Sequence, residues 1–391
     1  MQPAARPHVV IYFTDAGGGH RAAAEAVVEA LHALYQDGIS TELVDFFRSS
    51  GTRPLIRAPD LYPQLVKAGL WKTSYRATDG RSRARVITAS LWPYLRQIAN
   101  HLVRSHPADL VVSTHAFANS VLLKAMGTNR PPFFTVVTDF GSIHALWFDK
   151  RADRIFLPAE AARARGLHFG MDPDRLEVVG FPVLARYGES VGDRAMLRRR
   201  LGWEEQKPLA LIVGGGEGMG PVAKIARAID RSGLDLTQVI VAGRNKRLKG
   251  ALESSTWSNP THVYGFTRDM PDFLHAADVL LTKAGGATVA EAINAGVPMI
   301  IYARIAGQEE GNVAYAELTG AGVFAPTPTD VVRALTRWLS RPDERERAAA
   351  GARRAARPDA ARTIAAAIGR QLHMRSNYPR STMGHDRPAT V

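Results

Sequence analysis

A chain of 391 residues is longer than one hydrophobic core ordinarily organises, so two domains are expected. With 46% hydrophobic and 22% charged residues and no cysteine, the composition excludes wholesale disorder, a disulfide framework, a thiolate zinc site and a cysteine nucleophile. No apolar run reaches the roughly 18 residues of a membrane-spanning helix, and Met1–Pro7 has no apolar stretch of the kind a signal peptide needs. The net charge of +13 is uneven: Gly51–Arg104 holds ten Lys or Arg against two Asp, Arg341–Val391 holds eleven Arg against five acids, and the rest is close to neutral. Two basic segments on a neutral scaffold point to an anionic partner surface, lipid headgroups or nucleic acid.

His8–Thr14 (HVVIYFT) reads as a buried strand, followed by a glycine turn and an Ala-rich helix from about Arg21 to Tyr35. Thr41–Asp45 is the next strand. Gly51–Asn100 shows no strand pattern and mixes Pro, Arg and aromatics. Leu110–Ser113, Phe133–Thr138, Asp153–Leu157 and Leu176–Val179 are short apolar runs alternating with helical stretches, the signature of a doubly wound parallel sheet. After a seam near Gly180–Gly192 the pattern restarts. Strands at Leu209–Val213, Gln238–Ala242, His262–Tyr264, Val279–Thr282 and Pro298–Tyr302 alternate with helices, one from about Pro221 to Ser232 and one containing Glu291–Ala295. The expected division is residues 1–184, residues 185–370 with a last helix able to pack back on the first domain, and a disordered polar tail at 371–391. Two such domains face each other across a cleft. Ligands of open α/β sheets bind beyond the carboxyl ends of the strands, which puts the glycine-rich turns at that cleft.

Four motifs lie there. In Asp15-Ala-Gly-Gly-Gly-His-Arg21, the glycines allow close backbone approach to a ligand, and an imidazole at His20 suits proton removal from a hydroxyl. The same residue serves equally well as a helix-capping histidine. Gly214-Gly-Gly-Glu-Gly-Met-Gly220 opens a helix with a nest of backbone N–H groups, for which a diphosphate is the natural occupant. In Thr282-Lys-Ala-Gly-Gly-Ala-Thr-Val-Ala-Glu291, Thr288 can bond a phosphate. Glu291 either takes both hydroxyls of a ribose or simply compensates the helix dipole. Ala306-Gly-Gln-Glu-Glu-Gly-Asn312 offers Gln308, Glu309 and Asn312 to sugar hydroxyls. The lone Asp-x-Asp triplet, Asp172-Pro-Asp174, is turn chemistry, so no metal is expected; the nest and helix dipole would stabilise a diphosphate leaving group. The arginines of the first basic segment interleave with Tyr62, Leu70, Trp71, Tyr75, Leu91, Trp92 and Tyr94, a pattern suited to a bilayer interface.

Taken together, TDAGGGHRAAAEA (14–26), VVTDFGSIHALWFDK (136–150), GFP (180–182), GGGEGMG (214–220), GFTRDMPDFLHAADVLLTKAGGATVAEA (265–292) and GQEEGN (307–312) resemble the monogalactosyldiacylglycerol synthases and processive diacylglycerol glucosyltransferases, relatives of the lipid-II N-acetylglucosaminyltransferase. The resemblance runs from about Val9 to Gly322. It implies a GT-B fold and inverting transfer of a hexose from a UDP-sugar to 1,2-diacylglycerol. His20 matches the family's catalytic base, Glu291 its ribose-binding glutamate, and Gln308 and Glu309 its donor-sugar residues. The donor site implied adds Gly215, Gly216, Gly218 and Met219 with Thr288 at the diphosphate, Phe266 backbone groups at the base, and Gly19, Arg244, Gly286 and Asn312 as further donor-binding residues. Gly18, His144 and Trp147 are the implied acceptor contacts. The TDFGSIHALWFDK stretch is more similar to the plant galactolipid enzymes, which favours UDP-galactose. UDP-glucose, with or without processivity, and another lipid acceptor are the alternatives. No cofactor beyond the UDP-sugar and no nucleic acid are expected, and the implied location is cytoplasmic, peripheral on the inner membrane face through residues 51–104. Two departures stand out. Leu184 occupies a position where relatives carry a phosphate-reaching Arg, with Arg186 a candidate replacement, and Glu217 puts an acid in the phosphate loop, where it must point away from the diphosphate.

Overall fold

The structure, a computed structural model, describes residues 6–15, 18–51, 66, 69–189 and 192–375. Gly17, residues 52–65 of the basic segment and the tail beyond 375 lie outside this description.

The first sheet contains β1 (His8–Phe13), β2 (Ser40–Asp45), β3 (Leu110–Ser113), β4 (Phe133–Val136), β5 (Arg154–Leu157) and β6 (Leu176–Val178), all parallel, in the order 2-1-3-4-5-6. The second contains β7 (Leu209–Val213), β8 (Thr237–Val241), β9 (Thr261–Tyr264), β10 (Val279–Lys283), β11 (Met299–Ala303) and β12 (Gly322–Phe324), again parallel, in the order 12-11-10-7-8-9. Helices cover both faces of each sheet. The strands are therefore buried on two sides and read as unbroken apolar runs, as Val9–Phe13 and Leu209–Val213 do. In each sheet the chain reverses direction of travel at its first strand: β2 lies on one side of β1 and β3 on the other, and β8 and β10 flank β7 in the same way. A crevice opens at such a switch point. The turns after β1 and β7 are the two glycine-rich motifs.

The segment without strand pattern holds two helices, Leu70–Thr78 and Arg81–Ser105. The second buries Ala84, Thr88, Leu95, Ile98, Ala99 and Leu102, a helical stripe packed on helix Ala116–Met126. β12 was not expected; it is three residues long with Val323 at the surface, too short and too exposed to show as an apolar run. The last helix, Ala360–Gln371, crosses back to the first domain. Its Ile364, Ala365 and Ile368 pack with Val27, Leu31 and Leu34 of the first helix, Gly19–Tyr35.

The two domains touch directly beside the crevice. The Phe140 N–H donates to Asn312 Oδ1 at 3.0 Å, the Gly311 N–H donates to Ser142 Oγ at 2.8 Å, and the Phe140 ring stacks on Tyr315 at 4.4 Å. A Cβ at Gly311 would strike the backbone of Gly141 and Ser142, so this contact requires glycine. No helix among the described residues is long and apolar enough to cross a membrane.

Candidate active site

A crevice lies between the domains, open to solvent at its mouth. The structure brings Gly19 and His20 of the first domain together there with Gly215, Gly216, Met219, Gly286, Thr288, Gln308, Glu309 and Asn312 of the second. Gly18, Gly218, Arg244, Phe266, Glu291, His144 and Trp147 are not among the lining residues.

His20 stands in the first turn of helix Gly19–Tyr35, which Gly18 starts with a left-handed φ of 85°. Its Nδ1 lies 2.9 Å from Thr138 Oγ1, and its ring meets His115 edge-on at 4.8 Å with Trp147 at 6.0 Å. This enclosure removes water from the ring and lowers its pKa to about 4. His20 is therefore neutral at pH 7 and keeps one lone-pair nitrogen. An imidazole pKa near 7, natural for a free ring, does not hold here, because desolvation outweighs the hydrogen bond from the ring to the Thr114 backbone.

On the facing wall, the nest begins where β7 ends. Gly218 turns with φ 58°, and a Cβ there would collide with the Ala242 carbonyl, so Gly218 shapes the loop from behind. Glu217 does line the crevice, yet its carboxylate accepts from Arg244 Nη1 at 2.8 Å. Arg244 also sits over the Phe266 ring at 4.5 Å and 3.7 Å from Asp15. It neutralises the one acid of the nest and ties the two glycine turns together. Arg186 reaches Asp272 instead of the crevice. Among the described residues the cation that does reach it is Lys283, at the end of β10, with Nζ 2.7 Å from Glu309 Oε1 and its stem against Gly215. Glu309 accepts a further bond from the Ile305 N–H at 2.8 Å.

Glu291 lies one helical turn beyond Thr288, hydrogen-bonded to Tyr187, with burial pushing its carboxyl up to about 7. Asp139 lines the crevice and is also pushed up to about 7 by burial; Trp147 Nε1 donates to its Oδ2 at 3.3 Å and the Gln308 amide bonds it too.

Three of the expected residues have their polar groups turned to partners inside the protein. Asn312 is fully buried at the crevice wall, and its Nδ2 donates to the Ala284 carbonyl at 2.9 Å while Oδ1 accepts from Phe140, so its amide joins the domains. Trp147 is buried behind His20 with its N–H on Asp139. His144 is covered by Tyr75 and bonded to Thr78 Oγ1 at 3.0 Å and to the Leu146 N–H. Buried polar groups must find partners, and these residues find them inside the protein. Trp71 and Tyr75 of the expected membrane belt likewise turn to the crevice rim, where they bond Gln308 and Ser142. Tyr62 and the Leu70 side chain lie outside the description.

Sequence reasoning missed Thr138, Asp139 and Lys283. The available signal for Lys283 was a cation wedged between a buried strand and a glycine turn. Among the described residues no group of three or more His, Asp or Glu could hold a metal ion.

Two parallel-sheet domains meeting at their switch points, with an anion nest on one wall and a histidine on the other, define a GT-B glycosyltransferase fold. The comparisons agree. Residues 20–183 match the family model for monogalactosyldiacylglycerol (MGDG) synthase, and residues 193–355 that for glycosyl transferases group 1. The probable monogalactosyldiacylglycerol synthase, chloroplastic, of Nicotiana tabacum is 37% identical over 90% of this chain and 68% of its own length. The monogalactosyldiacylglycerol synthase, chloroplastic, of Spinacia oleracea is 34% identical over 92% and 72%. Among solved structures, Acinetobacter baumannii MurG superposes with a TM-score of 0.60 at 17% identity, covering 93% of this chain and 99% of its own. A putative UDP-N-acetylglucosamine 2-epimerase from Listeria monocytogenes does so with 0.64 at 15%, covering 94% and 97%; at these identities both speak for the fold alone. The chain belongs to the monogalactosyldiacylglycerol synthase family.

Proposed function

We propose that the protein transfers galactose from UDP-galactose to the free hydroxyl of 1,2-diacylglycerol, with inversion, giving a β-galactosyldiacylglycerol. The observation that carries this is the division of groups across one crevice: His20 on the first domain, and the Gly214–Gly220 nest, Lys283, Thr288, Gln308 and Glu309 on the second. The galactose follows from family membership and the names of the relatives.

In this reading the nest, Thr288 and Lys283 hold the diphosphate, Glu291 the ribose, and Gln308 with Glu309 the hexose. The acceptor hydroxyl enters on the first-domain side. As its oxygen bonds the anomeric carbon, His20 removes the proton, and the bond to the diphosphate breaks with its electron pair leaving on UDP. Attack opposite an α-linked leaving group gives a β-linkage. Backbone N–H groups and Lys283 meet the charge that develops on UDP, so no metal is required. A base with a pKa near 4 is weak, but the diphosphate brings negative charge into the crevice, and a nearby anion raises an imidazole pKa.

Thr138 fixes the His20 ring. Thr138→Val is expected to lower kcat by about tenfold, the worth of one hydrogen bond, at unchanged donor KM, while Thr138→Ser keeps wild-type turnover; equal activity of both variants would remove Thr138 from this role. The pH dependence of kcat/KM for the donor takes its acid limb from carboxyl groups and not from His20. His20 stays neutral down to about 4 and adds nothing between pH 6 and 8. Glu291 and Asp139, raised to about 7, are protonated below that value, and only the carboxylate form of Glu291 accepts both ribose hydroxyls. The value of kcat/KM therefore climbs through pH 7, and Glu291→Gln flattens the climb; an unaltered profile in this variant contradicts the assignment.

The acceptor is a bilayer lipid, and we propose peripheral contact through helix Arg81–Ser105. Val86 and Tyr94 are 64% and 78% exposed there, flanked by Arg81, Arg83, Arg85 and Arg96, which suits an anionic bilayer surface. The expected cytoplasmic, inner-face location is a proposal the relatives do not share, since their names place them in chloroplasts. The whole reading is tested by supplying diacylglycerol liposomes with UDP-galactose or UDP-glucose in the presence of EDTA, with and without anionic phospholipid. Turnover with UDP-galactose that persists in EDTA and rises with anionic lipid is expected. Preference for UDP-glucose, or transfer only after a divalent ion is restored, contradicts it.

A further inference from the structure

Trp71 belongs by sequence to the basic segment, yet its indole reaches across the crevice. Its Nε1 donates to Gln308 Oε1 at 3.2 Å. An indole nitrogen can only donate, and a primary amide has one accepting and one donating end. The Gln308 oxygen must therefore face Trp71, which leaves its nitrogen for Asp139, the carboxylate it bonds on the other side. Asp139 is fixed in turn by Trp147 Nε1 at 3.3 Å. The amide is thus clamped between a donor and an acceptor on the opposite domain, and a flip would place N–H against N–H and oxygen against carboxylate.

The short helix that carries Trp71 is itself anchored at several points. Tyr75 Oη donates to the Ser142 carbonyl at 2.6 Å, Arg76 pairs with Glu310 at 3.3 Å, and Thr78 Oγ1 lies 3.0 Å from His144 Nε2. Gly307, next to Gln308, lies against the Tyr75 ring; a Cβ there would be 3.5 Å from it. Trp71 is held firmly enough to set the orientation of Gln308.

We propose that Trp71 is a positioning residue for donor selection, locking the Gln308 amide in one orientation so that it presents a fixed pair of hydrogen-bonding directions to the hexose. This rests on the reading that Gln308 meets the donor sugar. Epimeric hexoses differ in the direction of one hydroxyl. A fixed amide fits one direction and leaves an unmatched polar group with the other, whereas a freely turning amide adapts to both.

The test compares kcat/KM for UDP-galactose and UDP-glucose in wild type, Trp71→Phe, Gln308→Ala and the double variant. Phenylalanine keeps an aromatic ring and removes the N–H. The expected result is a fall of about tenfold in donor discrimination in Trp71→Phe, mainly through KM, with an unchanged melting midpoint. Gln308→Ala should lose discrimination at least as strongly, and adding Trp71→Phe to it should change nothing further. Unchanged discrimination in Trp71→Phe alongside a loss in Gln308→Ala overturns the inference alone. So does an equal, additive loss in the double variant, which would make Trp71 a packing residue. No effect of Gln308→Ala on either donor overturns the donor-site reading and this inference with it.

Discussion

Replacing His20 with alanine is expected to reduce kcat by roughly 10²–10⁴-fold, the usual contribution of a positioned general base, while the affinity for UDP stays within about twofold of wild type. The asymmetry follows from placement. His20 is the one titratable imidazole lining the crevice among the described residues, and it sits on the wall opposite the nest, Lys283 and Thr288. Its contacts are with Thr138, His115 and Trp147 of its own domain, so the diphosphate site does not depend on it. Steady-state turnover with diacylglycerol liposomes and UDP titration by calorimetry measure the two quantities separately. Turnover within threefold of wild type would remove His20 from proton transfer; weakened UDP binding would show that it belongs to the donor site.

Lys283→Met is expected to give the reverse pattern, with UDP affinity lower by about 10²–10³-fold. Lys283 and Glu309 are 12% and 7% exposed. Removing the cation leaves a buried carboxylate beside the place where the diphosphate must bind, and breaking such a pair costs about 3–5 kcal/mol. Part of this loss appears as a lower melting midpoint. The double variant Lys283→Met with Glu309→Gln separates the two effects: the midpoint recovers because no lone charge remains, but UDP affinity does not. Calorimetric titration of UDP and thermal unfolding check both. UDP affinity near wild type in Lys283→Met would leave the nest and Thr288 as the whole diphosphate site.

The strands were legible because a parallel sheet covered on both faces demands continuous apolar runs; β3 and β7 begin and end where the sequence placed them. The glycine turns were legible for a similar reason, since loops at a switch point need glycine. Helix Arg81–Ser105 was not. Its buried stripe at Ala84, Thr88, Leu95, Ile98 and Leu102 is interrupted by Pro93 and surrounded by arginines that cover an exposed face. The partners of the site were hidden by distance. Trp71 reads as one aromatic of a membrane belt until the fold carries Gln308, 237 positions away, to within bonding reach. Lys283 shows its role only with Glu309 folded against it. Asn312 has the same chemistry whether it binds a sugar or joins two domains, and only the fold shows Phe140 and Ala284 within reach of its amide. The arginine missing at Leu184 was sought at Arg186, which Asp272 holds; the crevice takes its positive charge from another strand.

The most direct measurement on the central claim is the anomeric configuration and sugar identity of the product formed from UDP-galactose and 1,2-diacylglycerol, read from the anomeric proton coupling of the purified glycolipid. Single displacement with His20 as base predicts one β-linked galactose on the glycerol hydroxyl. An α-linked galactose would contradict it, because retention needs a route other than direct attack opposite the leaving diphosphate.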